Sequence, residues 1–223
     1  MAFNKDELIA MGQQRATAYN TIIGALMTLP NDKFLSIVRS DDHKAFLESY
    51  KGLGQAKMTE ACDLILNYLE KTKGDDQKEL LETLAVDRTR LIRTPFQNAY
   101  EPPMEGQYTS KAPNEGVESS LLALKKLYIA AGYEPDDVGE SIDFFAIELD
   151  FIRVLCLKMA ETPDEIPALL KDQKKFLEDH PARWIKFYVE AAAPHAQTDF
   201  YKGWLMFMEG FLELEKDLLN YIS

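Results

Sequence analysis

Apolar residues recur along most of this chain at intervals of three and four, the spacing of one face of an α-helix. No stretch alternates with the period of two that a half-buried strand requires. The strongest segment covers residues 140–161. Between Ile142 and Ala160 stand fourteen apolar residues and five charged ones, which leaves no polar face, so the spacing predicts a helix covered on most sides. This helix is expected at the centre of the fold. At ~100° per residue Asp143 and Asp150 share a face and Glu148 lies about 140° from Asp143, so at least one acid should point inward. Asp150 is expected to pair with Arg153. A membrane span is excluded, because each of the five charges would cost roughly 2.5–3.5 kcal/mol at mid-bilayer.

Helices are expected over residues 4–28, 31–38, 42–50, 58–71 and 77–92 before it, then over 116–131. In the first, Arg15 and Tyr19 stand four apart; in the fifth, Leu80, Leu84, Arg88 and Leu91 hold the period. Downstream, Thr162-Pro163-Asp164-Glu165 reads as an N-cap, a first-turn proline and a capping-box glutamate. Helices over 165–178, 182–192 and from 198 onward follow, and Trp204, Phe207, Met208 and Phe211 make a packing stripe in the last. The expectation is an all-α fold, one domain over residues 1–223, with about ten helices around the buried central one.

Composition adds that the chain can build a core, with 46% hydrophobic and 11% aromatic residues. A net charge of −12 argues against nucleic acid, whose phosphates demand Lys and Arg. Cys62 and Cys156 sit in apolar helical patterns and read as buried free thiols in a reducing compartment. The first residues, MAFNKDELIAMGQQ, lack a secretory pattern, so a cytoplasmic protein is expected. His43, His180 and His195 are scattered, with no HExxH or CxxC, and no metal or cofactor site is expected. His180 and His195, each beside a proline, read as helix-terminal residues. GLGQAK at Gly52–Lys57 lies between helical patterns and reads as a turn, not as a phosphate-binding loop. Neither GxSxG nor GxGxxG occurs, so no catalytic residue is assigned.

The most distinctive stretch is Tyr100-Glu101-Pro102-Pro103-Met104-Glu105-Gly106-Gln107-Tyr108, inside an interval with prolines at 95, 102, 103 and 113. Prolines exclude regular helix through such an interval and suggest an ordered, extended arm that presents acids and aromatics at low entropic cost. A rigid connector over the core is the plainer alternative. Here the chain resembles the TorD/DmsD family of molybdoenzyme assembly chaperones. The likeness runs through RATAY (Arg15–Tyr19), LIRTP (Leu91–Pro95), EPPMEGQY, IDFFAIELDFI (Ile142–Ile152), FLEDHPARWIKFY (Phe176–Tyr188) and FYKGW (Phe200–Trp204). Leu91 and Ile92 stand at the family's apolar pair, Pro102, Pro103, Glu105 and Tyr108 match its loop motif, and Asp143, Glu148 and Leu149 match its core helix. Met104 replaces an aromatic, Gly106 a serine, and Phe144 the histidine that follows the aspartate.

The resemblance implies a cytoplasmic chaperone that binds the twin-arginine signal peptide and folding chain of a molybdoenzyme catalytic subunit. A receptor for an arginine pair followed by an apolar stretch needs carboxylates beside an apolar groove. The expected binding residues are Leu91, Ile92, Glu101, Pro102, Pro103, Met104, Glu105, Tyr108, Asp143, Phe144 and Glu148, in a monomer or domain-swapped dimer. An assembly factor for a subunit without an export signal is the alternative, kept open by Phe144. An enzyme built on Glu105, Asp143 and Glu148 is the third reading, weakened by the absence of histidines in a ligand pattern.

Overall fold

Small polar side chains set many of the helix starts: Asn31 accepts from the Phe34 N–H, Ser40 from His43 and Asp76 from Glu79. The computed structural model describes residues 3–93, 99–109, 117–135 and 140–223. Among these the regular elements are helical, and the all-α expectation holds. They are α1 (Lys5–Met27), α2 (Asp32–Val38), α3 (Asp41–Lys51), α4 (Ala56–Lys71) and α5 (Gln77–Arg88), the last continuing as a π-helical turn, Thr89–Arg93. There follow α6 (Glu105–Thr109), α7 (Val117–Ala130), α8 (Phe145–Glu161), α9 (Ile166–Asp179), α10 (Pro181–Ala192) and α11 (Asp199–Ile222). No described helix is long and apolar enough to cross a membrane.

Three local expectations are corrected. The central helix begins at Phe145, so Asp143 lies in the run-in ahead of it and not on a face shared with Asp150; Phe144 is extended, at φ −75 and ψ 136. Thr162 does not cap: its hydroxyl donates to the Lys158 carbonyl and a 3-10 turn, Pro163–Glu165, leads into α9. The proline-rich interval is not extended throughout, because residues 105–109 form α6. Pro95, Phe96 and Pro113 lie outside the described residues.

The chain forms two compact units, the first of Met1–Ile23, Pro103–Lys186 and Leu212–Ser223, the second of Gly24–Pro102 and Phe187–Phe211. In the first, ten residues of α8 are buried, and Asp150 pairs with Arg153 at 2.6 Å as its i,i+3 spacing suggests. Arg15 of α1 makes a buried fork onto Glu215 of α11, with Nε and Nη2 each 2.8 Å from a carboxylate oxygen. Nη1 donates to Gln173 of α9 at 2.6 Å, and the Tyr19 hydroxyl donates to Glu215 at 2.8 Å. All three guanidinium nitrogens and both carboxylate oxygens of this buried pair are thereby engaged, which offsets much of its desolvation. Close packing also fixes Gly12, where a Cβ would sit 2.9 Å from the Cys156 carbonyl oxygen.

In the second unit Asp87 is fully buried and accepts from the Gln197 and Thr198 N–H groups and the Thr198 hydroxyl, closing the approach to α11. Neighbouring Arg88 donates to the Leu26 and Met27 carbonyls at the end of α1, and so satisfies acceptor groups that a helix terminus leaves open. The stripe Trp204, Phe207, Met208 and Phe211 is buried as predicted. Gly203 on that helix would place a Cβ 2.6 Å from Ile65 Cγ1 and 2.8 Å from the Ala61 carbonyl oxygen, so α4 and α11 meet there without room for a methyl group.

Two outcomes follow. Gly203→Ala is expected to destabilise the chain by roughly 1–3 kcal/mol through overpacking, read as a lower urea midpoint at unchanged slope. His43 is buried against Phe46 and Trp204, and burial lowers its pKa from 6.5 to about 4. A histidine depressed in the folded state supports stability fully above its unfolded pKa and loses that support as pH falls toward the folded value. Between about pH 7.5 and 4.5 the stability of His43→Phe relative to the parent should therefore rise by about 2–3 kcal/mol. Parallel pH profiles for the two proteins would show that His43 titrates normally.

Candidate functional site

A short antiparallel contact joins the proline-rich interval to the run-in of the core helix. Met104 and Phe144 form an isolated bridge, the Glu105 N–H donates to the Asp143 carbonyl at 2.9 Å, and the Phe145 N–H donates to the Pro103 carbonyl at 3.0 Å. Proline suits this place, since its carbonyl is used and its missing N–H is not needed. The Gly106 N–H then donates to Asp143 Oδ2 at 3.0 Å, so one aspartate ties down both the main chain and the start of α6.

This contact carries Glu105 inward. Its side chain is 3% exposed, and Oε2 lies 2.9 Å from His180 Nδ1, an ion pair when the imidazole is protonated. Glu148, in the first turn of α8, is fully buried and accepts the Trp184 Nε1–H on Oε2 at 2.9 Å. Trp184 stacks on Tyr108, with ring centroids 5.7 Å apart and planes inclined by 19°. His180 packs on Phe176, and Tyr128, also buried, donates its hydroxyl to the Ile142 carbonyl. Within one unit, therefore, three buried carboxyl groups cluster with one imidazole and an aromatic wall.

Asp143 Oδ1 is buried without a donor among the described residues, and Glu148, besides its bond from Trp184, hydrogen-bonds to Glu105 when a proton lies between the two carboxyl groups. Burial, with Glu105 and then Asp143 adding negative charge, pushes the Glu148 carboxyl well above the usual carboxylate range, against the opposing pull of the Trp184 N–H. A proton can thus sit between Glu148 and Glu105, where two ionised acids would only repel. Tyr128 is raised as well, first by burial and then by the charge of Glu148. Among the described residues no three His, Cys, Asp or Glu side chains are grouped so as to hold a metal ion.

Of the residues expected to bind, the structure brings together Met104, Glu105, Tyr108, Asp143, Phe144 and Glu148, with Pro103 beside them. Glu105 is buried, contrary to the expectation of an acid displayed on an extended arm, because α6 turns it back toward His180. Phe144 is 1% exposed and packs on Phe145, while Met104 and Tyr108 are half-buried. Leu91, Ile92, Glu101 and Pro102 belong to the second unit. There Leu91 and Ile92 are buried in the π-helical turn, the Leu91 carbonyl accepting from the Tyr188 hydroxyl, and Glu101 is exposed.

His180, Trp184 and Tyr128 are not among the expected binding residues. His180 does end a helix, as its proline neighbour indicates, but its ring also meets Glu105, seventy-five positions away. A signal exists for Trp184: on an amphipathic helix a buried indole N–H needs an acceptor, and the central helix already offers buried acids.

Residues 53–189 match the family described as "Nitrate reductase delta subunit". The chain is similar to a protein named "Chaperone protein TorD" from Photobacterium profundum, 25% identical over 221 residues that cover 96% of this chain and 97% of the relative. No solved structure matches.

The electrostatics of this cluster give a measurable signature. A carboxyl whose folded pKa is raised above its ordinary 4.5 leaves stability intact below that pH and erodes it as pH rises toward the folded value. Glu148→Gln retains an acceptor for Trp184 and cannot ionise, so its stability should be flatter with rising pH than the parent's. Urea titrations at a series of pH values check this, and parallel slopes above pH ~5 would contradict it.

Proposed function

Because the chain belongs to the nitrate reductase delta subunit family of TorD-like chaperones, we propose that it binds the twin-arginine signal peptide of a molybdenum-cofactor oxidoreductase subunit in the cytoplasm. It holds that subunit until its cofactor is inserted and the enzyme is ready for export. Family membership supports the coarser role, an assembly chaperone for molybdoenzymes. The protein acts by binding and needs no catalytic step of its own.

The observation that carries the finer reading is the buried acid group beside apolar side chains. Asp143 offers an unsatisfied carboxylate oxygen, and Met104, Tyr108 and Phe144 supply apolar surface from the same two segments. Guanidinium groups are planar, permanently charged donors suited to such acceptors, and an apolar stretch after them would lie on the side chains of the arm. The half-buried thioether of Met104 adapts to apolar sequences of differing shape.

A second reading, an assembly factor for a subunit without an export signal, is favoured by one feature. Phe144 is buried against Phe145 and offers no polar group at the position where the family resemblance implies a histidine. Co-purification from native cells separates the two by the client recovered: a large subunit with an N-terminal arginine pair supports the first, one without it the second.

Asp143 is 3% exposed and Glu101 is exposed, so their variants should differ. Asp143→Asn is expected to weaken a client signal peptide by ~2–5 kcal/mol, and Glu101→Gln by under ~1 kcal/mol. Titration calorimetry with the peptide and its arginine-to-glutamine version is the measurement. Equal affinity for the two peptides would remove the acidic half of the model, and unchanged affinity in a folded Met104→Asp variant would remove the apolar half.

A further inference from the structure

Helix α7 is anchored on one side and open on the other. Its inner side is set by Leu124 and Tyr128, one turn apart and both buried. Tyr128 packs on Tyr133, Phe151 and Phe176, and its hydroxyl donates to the Ile142 carbonyl at 3.2 Å. The end of the helix is fixed as well. Gly132 takes φ +65, and the Gly132 and Tyr133 N–H groups donate to the Ile129 and Tyr128 carbonyls respectively, the paired bonds of a Schellman closure. Lys158 of α8 donates to the Ala131 carbonyl beside that turn.

The outer side carries a narrow stripe. At ~100° per residue Leu122 and Ile129 lie about 20° apart, with Lys126 about 40° to one side of Leu122 and Lys125 about 60° to the other. Leu124 and Tyr128 lie about 160° and 120° from Leu122, so the stripe points away from the packed side. Leu122 is 54% exposed and Ile129 67%, and both lysines are exposed. Two large aliphatic side chains thus stand in solvent on a well-anchored helix, edged by cations in a chain of net charge −12. Apolar residues seven apart with charges at their edges are the pattern of a helix that packs lengthwise on another helix.

Resting on the reading that the protein holds a folding subunit, we infer that Leu122, Lys125, Lys126 and Ile129 dock an acidic amphipathic helix of that partner, one whose apolar residues recur at seven and are edged by aspartate or glutamate. Charge decides among the occupants. Lysines on both edges of the seam attract carboxylates and repel a basic helix, which separates this surface from one for an arginine-bearing signal peptide. The same face of a second copy would set lysine against lysine across a two-fold axis. Nucleic acid would meet the chain's negative charge and gain nothing from Leu122 and Ile129. A seam of two aliphatic side chains is small, so the contact is weak and reversible, as holding and releasing a folding subunit require.

The probe is a synthetic helical peptide with leucines seven apart edged by glutamates, together with a version carrying lysine at each glutamate. Fluorescence anisotropy reads their binding to the full chain at low salt. The glutamate peptide is expected to bind about tenfold or more tighter than the lysine peptide. Ile129→Asp, and the double variant Lys125→Glu with Lys126→Glu, should each weaken the glutamate peptide about tenfold or more, and the double variant should take up the lysine peptide instead. All three positions are exposed, so these variants are expected to fold, which circular dichroism checks. Equal binding of the two peptides by the parent, or an unchanged affinity for the glutamate peptide in the variants, would overturn the inference. So would a parent dimer that Ile129→Asp splits in sedimentation, which assigns the face to a second copy, or binding to phosphatidylglycerol vesicles that Ile129→Asp abolishes, which assigns it to a membrane. Ile129→Asp should keep the parent's affinity for a client signal peptide. Failure of that peptide to bind the parent removes the signal-peptide reading alone, and failure of the glutamate peptide to bind removes this inference alone.

Discussion

Two main-chain hydrogen bonds, Glu105 N–H to the Asp143 carbonyl and Phe145 N–H to the Pro103 carbonyl, are the constraint on which the site depends. They hold a segment with almost no regular structure of its own against the first residues of the core helix. Without them Glu105 would have no reason to be buried, and Asp143 would lose both its amide partner and its position. The contact also decides where α8 can begin, because Phe144 must remain extended to form the bridge. Local backbone pairing, more than side-chain attraction, assembles acids that would repel one another.

Such an assembly runs against stability. Buried carboxylates with open oxygens are a cost that a chain selected only for folding would remove by substitution with an apolar residue of similar volume. Contrast Arg15 and Glu215, where the charged groups are matched and burial is compensated. The two clusters lie in the same unit, yet in the first both Glu215 oxygens are engaged while in the second Asp143 Oδ1 has no donor among the described residues. That open oxygen is what recommends the second cluster as the seat of the proposed ligand.

Much of this architecture is legible in the sequence. Helical periodicity is a local property, and it locates the long helices to within a few residues; the Asp150–Arg153 pair follows from spacing alone. The inward acid on the central helix is also readable, since Glu148 has no polar face to join. What spacing does not give is the identity of partners distant along the chain. Arg15 and Tyr19 stand out as a pair, but nothing near them indicates that both reach Glu215. His180 is readable as a helix end and its meeting with Glu105 is not, because the turn around Pro181 and the turn of α6 jointly determine it. Asp143 reads as part of a helix it precedes, since apolar neighbours on both sides hide an extended residue, and Thr162 carries a capping pattern that the 3-10 turn leaves unused.

The Arg15–Glu215 fork joins residues two hundred positions apart. A ribosome that has released the segment bearing Arg15 must still synthesise everything between the two before the counterion exists. During that time the guanidinium can be hydrated but cannot be buried without cost. In a chain made from its N-terminus this buried fork can form only after α11 has been added.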